Sequence, residues 1–373
     1  MTEAMPNIAV ALAGALGKFH LDVEFTAPMS GITALFGPSG CGKTTILRCI
    51  AGLERLPGRI TIGDEVWQDT EAGLIVPPHR RRIGYVFQEA SLFAHLSVRD
   101  NLLYGARRAA KTVKPNGLDL GTIVDLLGIG YLLERSPAAL SGGERQRVAV
   151  GRALLSAPKI LLMDEPLSAL DRMTKDEILP YFEMLHETLS LPIVYVSHDM
   201  SEVERLADTL VLLEQGRVLA AGPLTALQTD PTLPLLGAFD ASVMIDGRIA
   251  GFDQTYCLTE LSISGGALQV PGRQGQIGDK RRLRVSASDV SLSRTAAKDS
   301  TILNCLAARI ISIEFLDGAP HVSVLLAIGA EGDGARIACR ITRKSLSTLA
   351  LASGDPVIAQ IKSVALVASR VPG

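Results

Sequence analysis

Ile32-Thr33-Ala34-Leu35-Phe36-Gly37-Pro38-Ser39-Gly40-Cys41-Gly42-Lys43-Thr44-Thr45 is the stretch that decides the fold. An apolar run of strand length, bounded by Gly31 and Gly37, enters a glycine-rich turn, and a helix is predicted from near Lys43. Strand, G-x-x-x-x-G-K-T and helix in that order make a phosphate cradle, the P-loop pattern. The glycines let backbone N–H groups turn inward around the β- and γ-phosphates of a nucleotide, at the positive end of the following helix. All nine residues from Gly37 to Thr45, namely Gly37, Pro38, Ser39, Gly40, Cys41, Gly42, Lys43, Thr44 and Thr45, are therefore candidate ATP contacts. Lys43 adds a point charge at the β/γ oxygens, and the Thr44 hydroxyl is a candidate Mg²⁺ ligand. A glycine-rich turn without a ligand is the bland alternative, and the flanking strand and helix weigh against it.

Further along, Ile160-Leu161-Leu162-Met163-Asp164-Glu165-Pro166 is an apolar strand that ends in two adjacent carboxylates. A buried parallel strand delivers its C-terminal residues to the ligand edge of the sheet. Asp164 then holds Mg²⁺, and Glu165 polarises the attacking water as general base. Helix-period segments are predicted at about 97–113, 119–134, 144–156 and 172–190. The short strands 160–163, 192–196 and 209–213 alternate with them, and residues 1–30 read as a pair of short strands. Such alternation indicates a parallel sheet with helices on its faces.

Leu140-Ser141-Gly142-Gly143-Glu144-Arg145-Gln146-Arg147-Val148-Ala149 lies between these two motifs. Ser141 and Glu144 form an S-x-x-E capping box, so a helix start is predicted there on local grounds alone. The stretch also resembles the signature motif of ATP-binding-cassette (ABC) ATPases. In that family the two glycines open the N–H groups and helix dipole to the γ-phosphate held by another copy. The resemblance therefore implies a head-to-tail homodimer with ATP sandwiched at two composite sites, and Ser141, Gly142, Gly143 and Asp171 in contact across it. Asp171 closes Ser168-Ala169-Leu170-Asp171, which resembles the family's D-loop. Gln88, after Arg82-Ile83-Gly84-Tyr85-Val86-Phe87, resembles the Q-loop glutamine that touches Mg²⁺ or the water. His198 in Ile193-Val194-Tyr195-Val196-Ser197-His198-Asp199 resembles the switch histidine that holds the γ-phosphate. Catalysis is thus assigned to Glu165, His198 and Gln88, and Mg²⁺ to Thr44, Gln88 and Asp164. Where the family carries an aromatic residue that stacks on adenine, this chain has Ala13-Gly14-Ala15, and Phe19 is the nearest candidate.

Composition bounds the rest. A chain of 373 residues exceeds the roughly 250–300 at which single cores stop growing, so two domains are expected. With 47% hydrophobic and 20% charged residues the chain buries a core and is not globally disordered. A formal charge of −2 gives no excess of cations for a sequence-independent grip on nucleic acid, which is excluded as an expected partner. Five cysteines without a C-x-x-C pair read as reduced thiols in the cytosol. Glu3 stands where a signal peptide would carry a cation, and apolar runs are strand-sized, so neither a secretion signal nor a membrane span is predicted.

After Thr229-Asp230-Pro231-Thr232-Leu233-Pro234-Leu235-Leu236-Gly237 the texture changes to short alternating strands with turn glycines, as expected of a small β-barrel. Residues 284–293 and 359–369 look alike, which hints at a duplicated element. The stretches Ile341-Thr342-Arg343-Lys344-Ser345-Leu346-Ser347-Thr348-Leu349 and Ile361-Lys362-Ser363-Val364 resemble the Mop module of molybdate-binding proteins. The cassette, including 73–96, resembles molybdate importer ATPases. The expected fold is an α/β P-loop NTPase domain (ABC ATPase) at residues 1–235 followed by an all-β, OB-like barrel at 240–373, with the Mop-like module at about 298–369. The resemblance implies an ATP- and Mg²⁺-dependent subunit that energises uptake of molybdate or tungstate. It would work as a homodimer on two transmembrane permease subunits, at the cytoplasmic face of the bacterial inner membrane, supplied by an external molybdate-binding protein. Ser300, Thr301, Asn304, Lys362 and Ser363 are the residues that match the oxyanion donors of the Mop module. Two alternatives stand beside this: an importer for sulfate or thiosulfate, and a non-transport oxyanion sensor that uses ATP as a switch.

Overall fold

The computed structural model describes residues 7–109, 118–238, 241–296, 299–315, 318–363 and 366–370; Glu3 and Val364, both invoked above, lie outside them. Residues up to Pro223 and residues from Leu224 onward form two compact units.

The first unit opens with a hairpin of β1 (Asn7–Leu16) and β2 (Phe19–Pro28), followed by β3 (Ile32–Phe36) and α1 (Lys43–Ala51). Next come β4 (Gly58–Ile62), β5 (Glu65–Asp69), β6 (Leu74–Ile75), β7 (Ile83–Val86), α2 (Val98–Ala109), α3 (Leu120–Leu127) and α4 (Gly142–Leu154). The unit closes with β8 (Ile160–Asp164), α5 (Arg172–Thr188), β9 (Ile193–Ser197), α6 (Met200–Leu206), β10 (Thr209–Glu214) and β11 (Arg217–Pro223). Its described strands make one 11-stranded sheet, ordered β6-β5-β4-β1-β2-β11-β10-β3-β9-β8-β7.

Strands β10, β3, β9, β8 and β7 run parallel. Every residue of β8 and β9 is buried, which explains why these strands read as continuous apolar runs rather than alternating ones. On α1, Ile46, Leu47 and Ile50 are fully buried within the same core. Because β3, β9 and β8 are neighbours, their carboxyl ends bring Gly37, His198 and the Asp164-Glu165 pair to one edge, where open α/β sheets bind ligands.

Helix α3 is shorter than the periodicity predicts. It stops at Leu127 because Gly128 turns left-handed (φ 59°) and its N–H closes on the carbonyls of Asp125 and Val124, leaving a separate short turn at Gly130–Leu132. The signature helix instead begins earlier, at Gly142.

The second unit contains α7 (Leu224–Gln228), β12 (Ser242–Asp253), β13 (Leu258–Ile263), β14 (Gly266–Pro271), β15 (Lys280–Ser286) and β16 (Val290–Ser293). It continues with β17 (Asn304–Phe315), β18 (His321–Ile328), β19 (Arg336–Thr342), α8 (Arg343–Thr348), β20 (Pro356–Ile361) and β21 (Val367–Arg370). Two five-stranded sheets, β14-β13-β12-β15-β21 and β16-β20-β17-β18-β19, enclose an apolar core that includes Leu261, Leu283, Val324 and Ile361. The two look-alike segments are the places where the chain changes sheet. Residues 284–293 leave the first sheet for the second and 359–369 return, and they pair antiparallel with one another, Val290 opposite Ile361 and Arg284 opposite Val367.

Candidate functional site

The P-loop is built by close approach. A Cβ on Gly37 (φ 156°) would stand 2.1 Å from the Leu213 carbonyl oxygen, and one on Gly42 (φ 106°) would stand 2.6 Å from Leu21 Cδ1 and 3.0 Å from the Phe19 ring. Any larger residue would push the loop off β10 or off the β1–β2 hairpin. The same contact puts Phe19 beside the cradle, whereas Ala13, Gly14 and Ala15 lie in β1. Within the loop the buried Lys43 ammonium donates to the carbonyls of Gly37 (2.7 Å) and Pro38 (3.0 Å). Burial pushes the Cys41 thiol above its ordinary range despite the neighbouring Lys43. Pro38, Ser39 and Gly40 are exposed at the tip, and Thr44 and Thr45 are half-buried where the helix starts.

The two metal candidates of the cradle meet. Thr44 Oγ1 donates to Asp164 Oδ1 at 2.8 Å, and Tyr85 Oη on β7 donates to the other carboxylate oxygen at 3.1 Å. Burial, reinforced by the Asp164 charge, holds the Tyr85 phenol well above its ordinary range, so it remains a donor. A hard-oxygen pair of one hydroxyl and one carboxylate fits Mg²⁺, which takes one or two carboxylates and fills its shell with water and substrate phosphate. Among the described residues no cluster of three or more His, Cys, Asp or Glu is placed to hold a metal.

One residue further on, Glu165 leaves the strand in the left-handed region (φ 45°), where a side chain with a Cβ is strained by about 1–3 kcal/mol. The turn is over-determined. The Glu165 N–H donates to the Val196 carbonyl (3.0 Å), and its own carbonyl accepts from the Ser168 hydroxyl (2.9 Å). The strained turn swings Glu165 Oε2 to 3.0 Å from His198 Nδ1, joining the ends of β8 and β9.

Ser141 caps α4 as the capping box requires: its Oγ accepts from the Glu144 N–H (3.2 Å) and its own N–H donates to Glu144 Oε2 (2.7 Å). Asp171 caps α5, accepting from the Thr174 N–H (3.0 Å) and hydroxyl (2.8 Å), which holds its carboxyl below the usual range. Gly142 and Gly143 serve packing as well. A Cβ on Gly142 would stand 2.8 Å from Leu170 Cδ2, and one on Gly143 would stand 2.6 Å from Ile178 Cδ1. The start of α4 therefore rests directly on the D-loop segment and α5. Gln88 is exposed just past β7.

Within the first unit, Lys43, Thr44, Asp164, Glu165 and His198 thus gather at one sheet edge, while Ser141 and Asp171 use their side chains to cap their own helices. Motif matching misses Tyr85, whose signal is only its place in the strand before Gln88. It also misses Gln146 and Arg152 on α4. Gln146 Nε2 donates to the Phe87 carbonyl (3.3 Å), and Arg152 donates to the carbonyls of Ser91 (2.9 Å) and Ala90 (3.2 Å), so the signature helix grips the Q-loop backbone.

In the second unit Asn304 and Ser363 come together: Asn304 Nδ2 donates to Ser363 Oγ (3.1 Å). The same amide accepts from the Gln269 N–H (2.7 Å) and donates to the Gln269 carbonyl (3.2 Å), lacing β14 to β17. Ser300, Thr301 and Lys362 are exposed, and Ser300 Oγ accepts from the Ile302 N–H at 3.1 Å.

Residues 21–168 match the ABC transporter family and residues 300–368 match the TOBE domain, a small all-β module. The molybdenum import ATP-binding protein ModC of Rhodopseudomonas palustris strain BisB18 is 56% identical over 374 residues, covering 100% of this chain and 97% of that one. The protein of the same name from Rhodobacter capsulatus is 54% identical over 367 residues, covering 98% and 99%. Among solved structures, cbiO1 from Clostridium perfringens, part of the ABC transporter complex cbiONQ, is 26% identical. It has a TM-score of 0.50 and covers 59% of this chain and 89% of that one.

Proposed function

This chain belongs to the family of molybdenum import ATP-binding proteins of ABC transporters, and from that premise we propose how its residues turn over ATP and what the enzyme assembles with. It is the ATP-hydrolysing subunit of an importer that energises molybdate uptake. The observation that carries the mechanism is the Glu165–His198 pair at 3.0 Å, one residue past the Thr44–Asp164 pair at 2.8 Å.

Two copies pair head to tail, and ATP on the P-loop of one is closed by Ser141, Gly142, Gly143 and Asp171 of the other. Thr44 and Asp164, with Gln88, would hold Mg²⁺, which would supply positive charge against the phosphates. Tyr85 keeps the Asp164 carboxylate turned toward Thr44. Glu165 accepts the proton of the attacking water as its oxygen bonds to the γ-phosphorus and the bond to the ADP oxygen breaks. His198, oriented by Glu165, donates to a γ-phosphate oxygen. Lys43 supplies positive charge along the β/γ edge. No covalent enzyme intermediate forms.

The dimer works on two transmembrane permease subunits at the cytoplasmic face of the inner membrane, supplied by an external molybdate-binding protein. Among the described residues no helix is long and apolar enough to cross a membrane, so in this reading the spanning is done by the permease. In vesicles that contain the permease, molybdate-loaded binding protein is expected to stimulate ATP hydrolysis by this chain, and sulfate-loaded protein is not. Stimulation by sulfate alone would assign the transporter to sulfate.

The C-terminal unit binds the transported oxyanion through donors among Ser300, Thr301, Asn304, Lys362 and Ser363. A diffuse oxyanion charge suits several N–H and O–H donors better than a single ion pair. Calorimetric titration of the full chain is expected to show saturable molybdate binding with no response to sulfate. A flat molybdate titration would leave the unit a structural role, consistent with Asn304 lacing β14 to β17.

A further inference from the structure

Beneath the Glu165–His198 pair lies a buried polar network that the proposed mechanism does not use. Its centre is Glu202 on α6, only 3% exposed. Glu202 Oε2 accepts from the hydroxyls of Tyr195 and Ser197, both at 2.8 Å, and Oε1 pairs with Lys175 Nζ at 2.7 Å. Lys175, on α5, reaches Asp199 Oδ2 at 3.0 Å as well. Asp199 Oδ1 in turn accepts from the N–H (3.0 Å) and hydroxyl (2.6 Å) of Ser201, capping α6. Ser197 Oγ also accepts from the Asp199 N–H at 3.0 Å.

The residues held in this way, Ser197 and Asp199, are the two neighbours of His198 in the chain. Their side chains clamp the peptide on both sides of the imidazole, so the direction of His198 is set by Glu202 and Lys175. A buried carboxylate that accepts from two hydroxyls and pairs with an ammonium is held in one orientation, and removing any one partner leaves a charge or dipole unsatisfied. Burial opposes the ionised forms, yet Lys175 is raised by its bonds to Glu202 and Asp199, and Asp199 is lowered by the Ser201 hydroxyl first and by Lys175 after it. The clamp also has a second end. Lys175 N–H donates to the carbonyl of Asp171 (3.0 Å), the cap of α5. One turn of helix therefore separates the D-loop from the ammonium that fixes His198.

We propose that Glu202 and Lys175 are positioning residues for ATP hydrolysis, locking the His198 peptide to the first turn of α5 so that contact at Asp171 sets the Glu165–His198 geometry. This rests on the roles assigned above to Glu165 and His198. The side-chain bonds of Glu202 and Lys175 go to Tyr195, Ser197, Asp199 and each other and not to the P-loop, so both are expected to act on turnover and not on ATP binding.

The test uses the full-length chain with four variants: Glu202→Gln, Lys175→Met, the double variant, and His198→Ala as reference. Glu202→Gln keeps the shape but puts an amide N–H₂ against either Lys175 or the two hydroxyls. Its kcat is expected to fall about tenfold, the equivalent of one hydrogen bond to a charged group. KM for ATP should stay within about twofold, since uniform binding is untouched. Lys175→Met leaves Glu202 buried and unpaired and is expected to lower the thermal midpoint. The double variant removes that stranded charge and is expected to regain the midpoint while kcat stays low. Recovery of kcat together with the midpoint in the double variant would show a structural role only and overturn the proposal. Parental kcat in Glu202→Gln, with activity lost in His198→Ala, would overturn it while leaving the site intact. Parental kcat in His198→Ala would overturn both this proposal and the assigned role of His198.

Discussion

Glu165→Gln is expected to lower the kcat of ATP hydrolysis by about 10²–10⁴-fold, the usual worth of a positioned general base, and to leave ATP-dependent pairing of two copies intact. The two acidic residues at the end of β8 are not equivalent. Asp164 has both carboxylate oxygens engaged, one by Thr44 Oγ1 at 2.8 Å and the other by Tyr85 Oη at 3.1 Å, which fixes its orientation. Glu165 is swung out by its left-handed turn, and its Oε2 meets His198 Nδ1 at 3.0 Å.

An amide at position 165 fits the same space and can still hydrogen-bond to His198, so the cradle, the Thr44–Asp164 pair and the signature helix keep their geometry. Only the capacity to accept the water proton is lost. Single-turnover hydrolysis and ATP-dependent elution as a dimer on size exclusion read the two consequences separately. Turnover at the parental rate would move the base elsewhere. Failure to pair would mean that the Glu165 carboxylate also organises the binding surface.

What was legible in the sequence was what short covalent spacing dictates. The cradle is a strand, a turn and a helix start within fourteen residues, and the cap at Ser141 is read by an N–H group three residues on. Continuous apolar strands announced a two-sided sheet, and the sheet order then carried distant motifs to one edge. The Tyr85 bond to Asp164 joins residues 79 apart, and it exists only because β7 and β8 are neighbours. The clamp on His198 depends likewise on α5 and α6 packing beside β9, and no spacing in Lys175 or Glu202 foretells it. In the second unit, alternation located strands but carried no information on partners, because a period of two says which face is buried and not which strand lies alongside. The look-alike segments acquired a meaning only when they proved to be paired crossings between two sheets. Asn304 and Ser363, matched as ligand donors, turned out to be hydrogen-bonded to each other across 59 residues.

Lys43→Ala acts at the opposite point of the cycle and is expected to weaken ATP binding itself, raising Kd about 10–100-fold, the range for losing a hydrogen bond to a charged group. The Lys43 side chain is 5% exposed, and its ammonium is steered over the loop by the carbonyls of Gly37 and Pro38 at 2.7 and 3.0 Å. Its third neighbour, Cys41 Sγ at 3.9 Å, is a weak acceptor, so one N–H stays available to a phosphate oxygen inside the ring of loop amides. Removing the ammonium takes the point charge from the β/γ edge and leaves two loop carbonyls without their donor, so both the electrostatics and the shape of the cradle suffer. Lys43→Met separates these effects, because it keeps the unbranched stem that fills the space under the loop and deletes only the charge. Equal losses in the Ala and Met variants, measured by calorimetric titration of ATP, would assign the affinity to the charge. Parental affinity in Lys43→Met would mean that the stem supports the loop while its amides alone hold the phosphates.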